Sequence, residues 1–225
     1  MEAFSNVVQA DFEEVFRKDH KLKGKWKEQF FKNNNPIVLE LGCGKGEYTL
    51  GMAKEFPTKN FLGVDIKGAR MWKGAREASE TGIRNAGFLR TRIELIESFF
   101  AENEVSEIWI TFPDPQIKKR RNKKRLTGSR FLNSYSRFLV PGGLIHLKTD
   151  SAELYEYTDS LLRYNNIETD ISTGDLYASE LPDKLLSIKT HYEKLFLEEG
   201  KKITYTRFSL KPGAVLSELP GDKDE

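Results

Sequence analysis

Val38-Leu39-Glu40-Leu41-Gly42-Cys43-Gly44-Lys45-Gly46-Glu47-Tyr48 is the stretch that decides the fold. A short apolar run from Ile37 to Leu41 ends in three glycines separated by single residues, and a helical pattern follows over residues 46–56. A near-continuous apolar run is what a strand buried on both faces requires. Glycines placed directly after it let the backbone turn sharply and approach a ligand closely. Working outward, strands are predicted at 60–65, 87–90, 105–112 and 144–148, with helices at 67–81, 93–101, 126–139 and 151–165. Ile203 to Leu210 alternates as a late strand. Repeated strand–helix alternation predicts an α/β fold, Rossmann-like, with a mostly parallel sheet and helices on both faces. Residues 1–35 are predicted to form a basic N-terminal arm with short helices, residues 36–211 the α/β domain, and residues 212–225 a flexible tail.

Such a sheet binds ligands beyond the carboxyl ends of its strands. The residues there are Gly42–Gly46, Asp65, Thr91-Arg92, Phe112–Pro115 and Thr149-Asp150. The glycine turn is not a phosphate loop, because Glu47 rather than Lys-Ser/Thr follows Gly46. Nor does it match the dinucleotide pattern, whose third glycine comes one residue later. Glu40, two residues before Gly42, would repel a pyrophosphate. A carboxylate there suits a cationic ligand, such as the amino group of S-adenosylmethionine. Asp65 ends the second strand and can accept hydrogen bonds from both ribose hydroxyls of a nucleoside. Cys43 is expected to be a small buried filler, since no histidine lies nearby in sequence to activate it.

The fourth strand ends in Phe112-Pro113-Asp114-Pro115, where two prolines stiffen the backbone around one carboxylate. A rigid acid in this place is positioned for chemistry. Residues 116–130 then carry eight basic and no acidic side chains. The whole chain has a formal charge of +2, which leaves −6 on the remaining 210 residues. A cationic patch beside a rigid acid fits a polyanion held by its backbone while one of its groups reacts. Lys118, Lys119, Arg120, Arg121, Lys123, Lys124 and Arg125 are the candidate phosphate contacts. A second basic stretch, Arg17 to Lys27, holds six Lys/Arg. One cysteine and three histidines leave no basis for a disulfide or a metal site. No apolar run reaches the length of a membrane span, and Met1-Glu2-Ala3-Phe4 does not begin like a signal peptide. A cytoplasmic protein without a membrane partner is expected.

Several of these stretches resemble the bacterial tRNA (guanine-N7-)-methyltransferases: VLELGCGKGEY (38–48), FLGVDIK (61–67), FPDP with KKRRNKKRL (112–126), GGLIHLKTD (142–150) and Thr190, Tyr192 and Glu193. The resemblance covers about Pro36 to Leu210. It implies the class I methyltransferase fold with a seven-stranded sheet, S-adenosylmethionine as cofactor and methylation of guanine N7 in the tRNA variable loop. It implies cofactor contacts from Glu40, Gly42, Gly44, Asp65 and Asp114, with Asp114 also catalytic. Substrate contacts would come from Lys118, Asp150, Thr190, Tyr192 and Glu193. Two positions depart from the family pattern. Arg92 stands where relatives have Asp or Asn near the adenine, so backbone groups of Arg92 and Ile93 are expected to serve there. Gln116-Ile117 replaces a Trp-containing pair, while Lys118 is kept. No obligate protein partner is implied, and a monomer or homodimer is expected. A methyltransferase for another RNA base and a non-catalytic RNA-binding protein are the alternatives.

Overall fold

The computed structural model describes residues 4–181, 183–211 and 213–221. Its centre is one eight-stranded sheet. The strands are β1 (Val7–Gln9), β2 (Ile37–Leu41), β3 (Asn60–Asp65), β4 (Ala86–Arg90), β5 (Val105–Thr111), β6 (Leu139–Thr149), β7 (Thr169–Thr173) and β8 (Thr204–Ser209). Their order is β1-β4-β3-β2-β5-β6-β8-β7. Pairing is parallel from β1 to β6 and antiparallel only where β8 meets β6 and β7. The mostly parallel α/β architecture is therefore as expected, with eight strands rather than seven. The additional edge strand, β1, comes from the N-terminal segment.

Alternation along the strands divides the core. In β2, Ile37, Leu39 and Leu41 join one apolar cluster and Val38 the other. The first cluster packs against α4 (Ser129–Tyr135) and α5 (Ala152–Tyr164). The N-terminal segment also enters it through Val15, Leu22, Trp26 and Phe31. Trp26 is fully buried, and its indole N–H donates to the Phe99 carbonyl at 2.7 Å. The segment expected as a basic arm thus supplies core residues, because its aromatics are too large to leave in water. The second cluster packs against α2 (Glu47–Glu55) and α3 (Gly68–Glu80), and Phe196 and Leu197 of α6 (His191–Glu198) lie against it. The only other α-helix among the described residues is α1, the single turn Phe12–Val15. No helix among them is long and apolar enough to cross a membrane.

Two sequence expectations need correction. Residues 93–101, expected as a helix, form only a tight 3₁₀ stretch at Ile93–Ser98. The C-terminal segment, expected to be flexible, is held against the domain as far as Leu219. Leu216 is buried, Leu216 N–H donates to Asn133 Oδ1 at 2.7 Å, and Glu218 accepts from Tyr157 and Ser129 at 2.8 and 2.9 Å. Residues 222–225 lie outside the described part.

Close packing of α3 on the glycine turn depends on Gly74. A Cβ at this position would stand 2.6 Å from the Lys45 carbonyl oxygen and 2.8 Å from the Phe88 ring. Backbone cannot yield as a side-chain tip can. Gly74→Ala is therefore expected to lower unfolding free energy by about 1–3 kcal/mol in urea denaturation.

Candidate active site

Parallel pairing places the ends of β3, β2, β5 and β6 side by side. Leu41 is in register with Val64 and Ile110, and Thr111 with Lys148. The residues immediately beyond these ends therefore share one edge of the sheet, with neighbouring strands about 5 Å apart.

The turn after β2 takes left-handed backbone at Gly42, Gly44 and Gly46, with φ of 78°, 55° and 75°. Each position favours glycine, for different reasons. Space beside Gly44 is open, with no atom within 4 Å of where a Cβ would stand. A Cβ on Gly46 would meet the Phe88 ring at 2.5 Å, so the third glycine serves packing. Asp65 braces the turn: its Oδ2 accepts from Gly44 N–H at 2.9 Å and its Oδ1 from Lys67 N–H at 2.8 Å. Its carboxylate is thus held at the mouth of the turn with lone pairs remaining. Cys43 is buried as a filler, and burial pushes its thiol well up, away from thiolate chemistry.

Glu40 differs from expectation. Its carboxylate is closed off beneath the turn, 1% exposed, and both oxygens are engaged by hydroxyls: Thr111 donates to Oε1 at 2.6 Å and Thr49 donates to Oε2. It bridges β2, β5 and α2 rather than lining the opening. Burial raises its pKa from the usual 4.5 to about 7, against the opposing effect of the two hydroxyls.

Asp114 stands exposed beyond β5, its Oδ1 accepting from Gln116 N–H at 3.1 Å. The loop carrying it departs from ordinary backbone on both sides. Phe112 has φ 48° and Gln116 φ 51°, a left-handed conformation costly for a bulky side chain. Strain of this kind persists where surrounding contacts over-determine it. Phe112 N–H donates to the Lys148 carbonyl at 2.8 Å and its ring packs on Phe196. Asp150, next to β6, is half-buried and lies 3.6 Å from Lys201 Nζ. It does not cap α5, since the Ser151 hydroxyl accepts from Leu154 N–H instead.

The basic run forms a 3₁₀ stretch at Lys119–Lys124. Lys118, Arg120, Arg121, Lys123 and Lys124 are exposed. The side chain of Lys119 lies outside the described part. Arg125 stacks on the Tyr157 ring at 4.1 Å, and Tyr157 is held by Glu218, so the C-terminal segment braces the run from below. The next residue, Leu126, reaches Gly42: its Cδ1 would lie 3.9 Å from a Cβ there. The cationic segment therefore ends against the glycine turn.

Helix α6 closes the opposite side. Glu47 Oε2 accepts from His191 N–H at 2.7 Å, and Lys45 Nζ lies 5.9 Å from the centre of the exposed Tyr192 ring. Thr190 caps the helix by accepting from Glu193 N–H. Glu193, expected to touch substrate, is instead fully buried in an ion pair with Lys148 at 2.8 Å. Nothing in the sequence marks Lys148 as its partner; an isolated lysine inside the apolar run of β6 is the available signal. Arg92 is exposed and Ile93 half-buried; the Arg92 carbonyl already accepts from Leu95 N–H at 2.9 Å. Beside them opens a cavity of about 620 Å³ lined by Gln9, Phe12, Ile66, Arg90 and Arg92 among others. Among the described residues no cluster of three His, Cys, Asp or Glu could hold a metal.

Residues 34–206 match the family described as putative methyltransferase. The chain is 54% identical to a tRNA (guanine-N(7)-)-methyltransferase of Christiangramia forsetii, over 93% of this chain and 94% of that one. It is 50% identical to the protein of that name from Bacteroides fragilis, over 97% and 86%. Among solved structures it is similar in fold to the 16S rRNA methyltransferase KamB, with a TM-score of 0.65 at 14% identity, over 87% of this chain and 96% of that one.

The raised Glu40 pKa has a measurable consequence. Between pH 4.5 and 7 the folded state keeps a proton that the unfolded chain has released, so stability falls as pH rises through that window. The shift corresponds to about 3 kcal/mol. In Glu40→Gln this contribution is absent. Urea unfolding at pH 5 and pH 8 is expected to show the wild type losing about 2.5 kcal/mol more than the variant.

Proposed function

Because the chain belongs to the tRNA (guanine-N(7)-)-methyltransferase family, we propose that it transfers a methyl group from S-adenosylmethionine to N7 of a guanosine in the tRNA variable loop. The observation that carries this reading is the convergence of an open glycine turn, the exposed Asp114 and the exposed cations Lys118, Arg120, Arg121 and Lys124 on one sheet edge. Among the described residues, Lys118, Arg120, Arg121 and Lys124 make no ion pair with an acidic side chain.

The residues fit the cofactor. Gly42 and Gly44 offer backbone without side chains, Asp65 offers acceptors for a ribose diol, and the buried Glu40 would lend negative charge beneath the turn once a bound cation favours its ionised form. Arg92 and Ile93 would flank the base. S-adenosylmethionine, when bound, supplies an electrophilic methyl group. Guanine N7 carries a free lone pair and no proton at neutral pH, so no side chain has to act as general base. Positive charge builds up on the purine as its N7 is alkylated. Asp114, fixed between two prolines, stabilises that charge and can accept from guanine N1–H and N2–H, donors that adenine does not present together. Much of the acceleration comes from alignment. Asp150, Thr190 and the exposed Tyr192 border the place where the guanosine would sit, and the basic run holds the RNA backbone.

Incubation with S-adenosylmethionine and unmodified tRNA, followed by digestion and nucleoside mass analysis, is expected to yield 7-methylguanosine, lost when the variable-loop guanosine is replaced. Another methylated nucleoside would reassign the substrate. Asp114→Ala is expected to retain cofactor binding while kcat falls by about 10²–10³. Replacing Arg120, Arg121 and Lys124 together by Ser should weaken tRNA binding and reduce the slope of log K against log salt by about 2 to 3.

A further inference from the structure

Lys148 is the one lysine among the described residues that is wholly removed from solvent, and its surroundings form a junction. The ammonium has three donors, and three acceptors meet it at close range: Glu193 Oε1 at 2.8 Å, the Leu186 carbonyl at 2.8 Å and the Ile188 carbonyl at 3.1 Å. Glu193 is equally buried and also accepts from the Tyr177 hydroxyl at 2.6 Å. One ammonium therefore ties Leu186, Ile188 and, through Glu193, both Tyr177 and the first turn of α6 to β6.

The junction leads to the proposed catalytic loop by two routes. Lys148 carbonyl oxygen accepts from Phe112 N–H at 2.8 Å. Three residues beyond Glu193 on the same helix, Phe196 packs against the Phe112 ring, with centroids 5.9 Å apart. Phe112 holds its left-handed conformation between these two contacts, and Asp114 follows two residues later. We infer that Lys148 and Glu193 are a positioning pair that sets Asp114 through α6 and Phe112, rather than groups that touch the substrate. The inference rests on Asp114 being the group that acts on the guanosine.

Both charges matter here only as a unit. A lone buried charge left by removing either partner is costly and pulls water or side chains inward. In Lys148→Met and in Glu193→Gln, kcat is expected to fall at least about tenfold while the KM for tRNA changes little, because displacement of a reacting group degrades alignment. The double variant should be no worse than either single one, as coupled residues are not additive. If Glu193 instead contacts the guanosine, Glu193→Gln raises KM, Lys148→Met does not reproduce it, and the inference is overturned.

Amide hydrogen exchange over Phe112–Gln116 reads the coupling without reference to activity. It should quicken in both single variants and in the milder Phe196→Leu and Tyr177→Phe, which leave no charge unpaired and keep the inference testable if the charge variants fail to fold. Unchanged exchange in the folded variants overturns it. Quickened exchange together with a fully active Asp114→Ala would leave the coupling standing and remove the reading of Asp114.

Discussion

Parallel pairing of β2 with both β3 and β5 is the constraint on which the remaining architecture depends. Every strand that runs with β2 delivers its carboxyl end to the same edge, so Gly42, Asp65, Phe112 and Thr149 are gathered by topology before any side chain has been chosen. Burial on both faces then fixes which residues the strands use. Ile37, Leu39 and Leu41 serve one layer of helices and Val38 the other. Glu40 breaks that apolar pattern. A carboxylate at this position costs desolvation, partly offset by the hydroxyls of Thr49 and Thr111. It remains strained toward the neutral form, and a cation above the turn would relieve that strain.

The second buried charge works differently. Lys148 and Glu193 neutralise each other in a site from which water is excluded, and such pairs seldom add net stability relative to apolar residues of the same volume. What they supply is a single arrangement. The carbonyls of Leu186 and Ile188 would have no comparable donor if the segment slid along β6. An apolar core would tolerate that slip; an ammonium with three specific acceptors does not.

The strands of the parallel core and the loops at their carboxyl ends are legible in the sequence, because they depend on local pattern. β2, β3 and the FPDP loop are written in apolar runs, glycines and prolines whose physical meaning does not need the rest of the chain. The remainder depends on long-range partners. β1 is three residues long and is a strand only because β4 offers it an edge. Trp26 and Phe31 sit in a polar, basic stretch, and only Phe99, Phe100 and their neighbours make that stretch part of the core. Glu218 looks like part of a charged tail until Tyr157 and Ser129 are brought beneath it. The environment of Glu193 is hidden for the same reason: in sequence it neighbours Tyr192, but one faces solvent and the other faces Lys148.

Adjacent residues with opposite fates show how the two halves of the site are built. Tyr192 and Glu193 occupy the first turn of α6, and the helix separates them by roughly 100°. The buried face anchors the helix to β6, while the exposed face presents an aromatic ring beside Lys45 of the glycine turn. The same division holds for the basic run, where Arg125 is committed to Tyr157 and Arg120, Arg121 and Lys124 point to water. In both elements an inward contact fixes the backbone so that the outward side chains occupy a defined place. Charge on the outward face can then attract a polyanion over a distance of about one Debye length, while the inward contacts hold the backbone that carries those charges in one place.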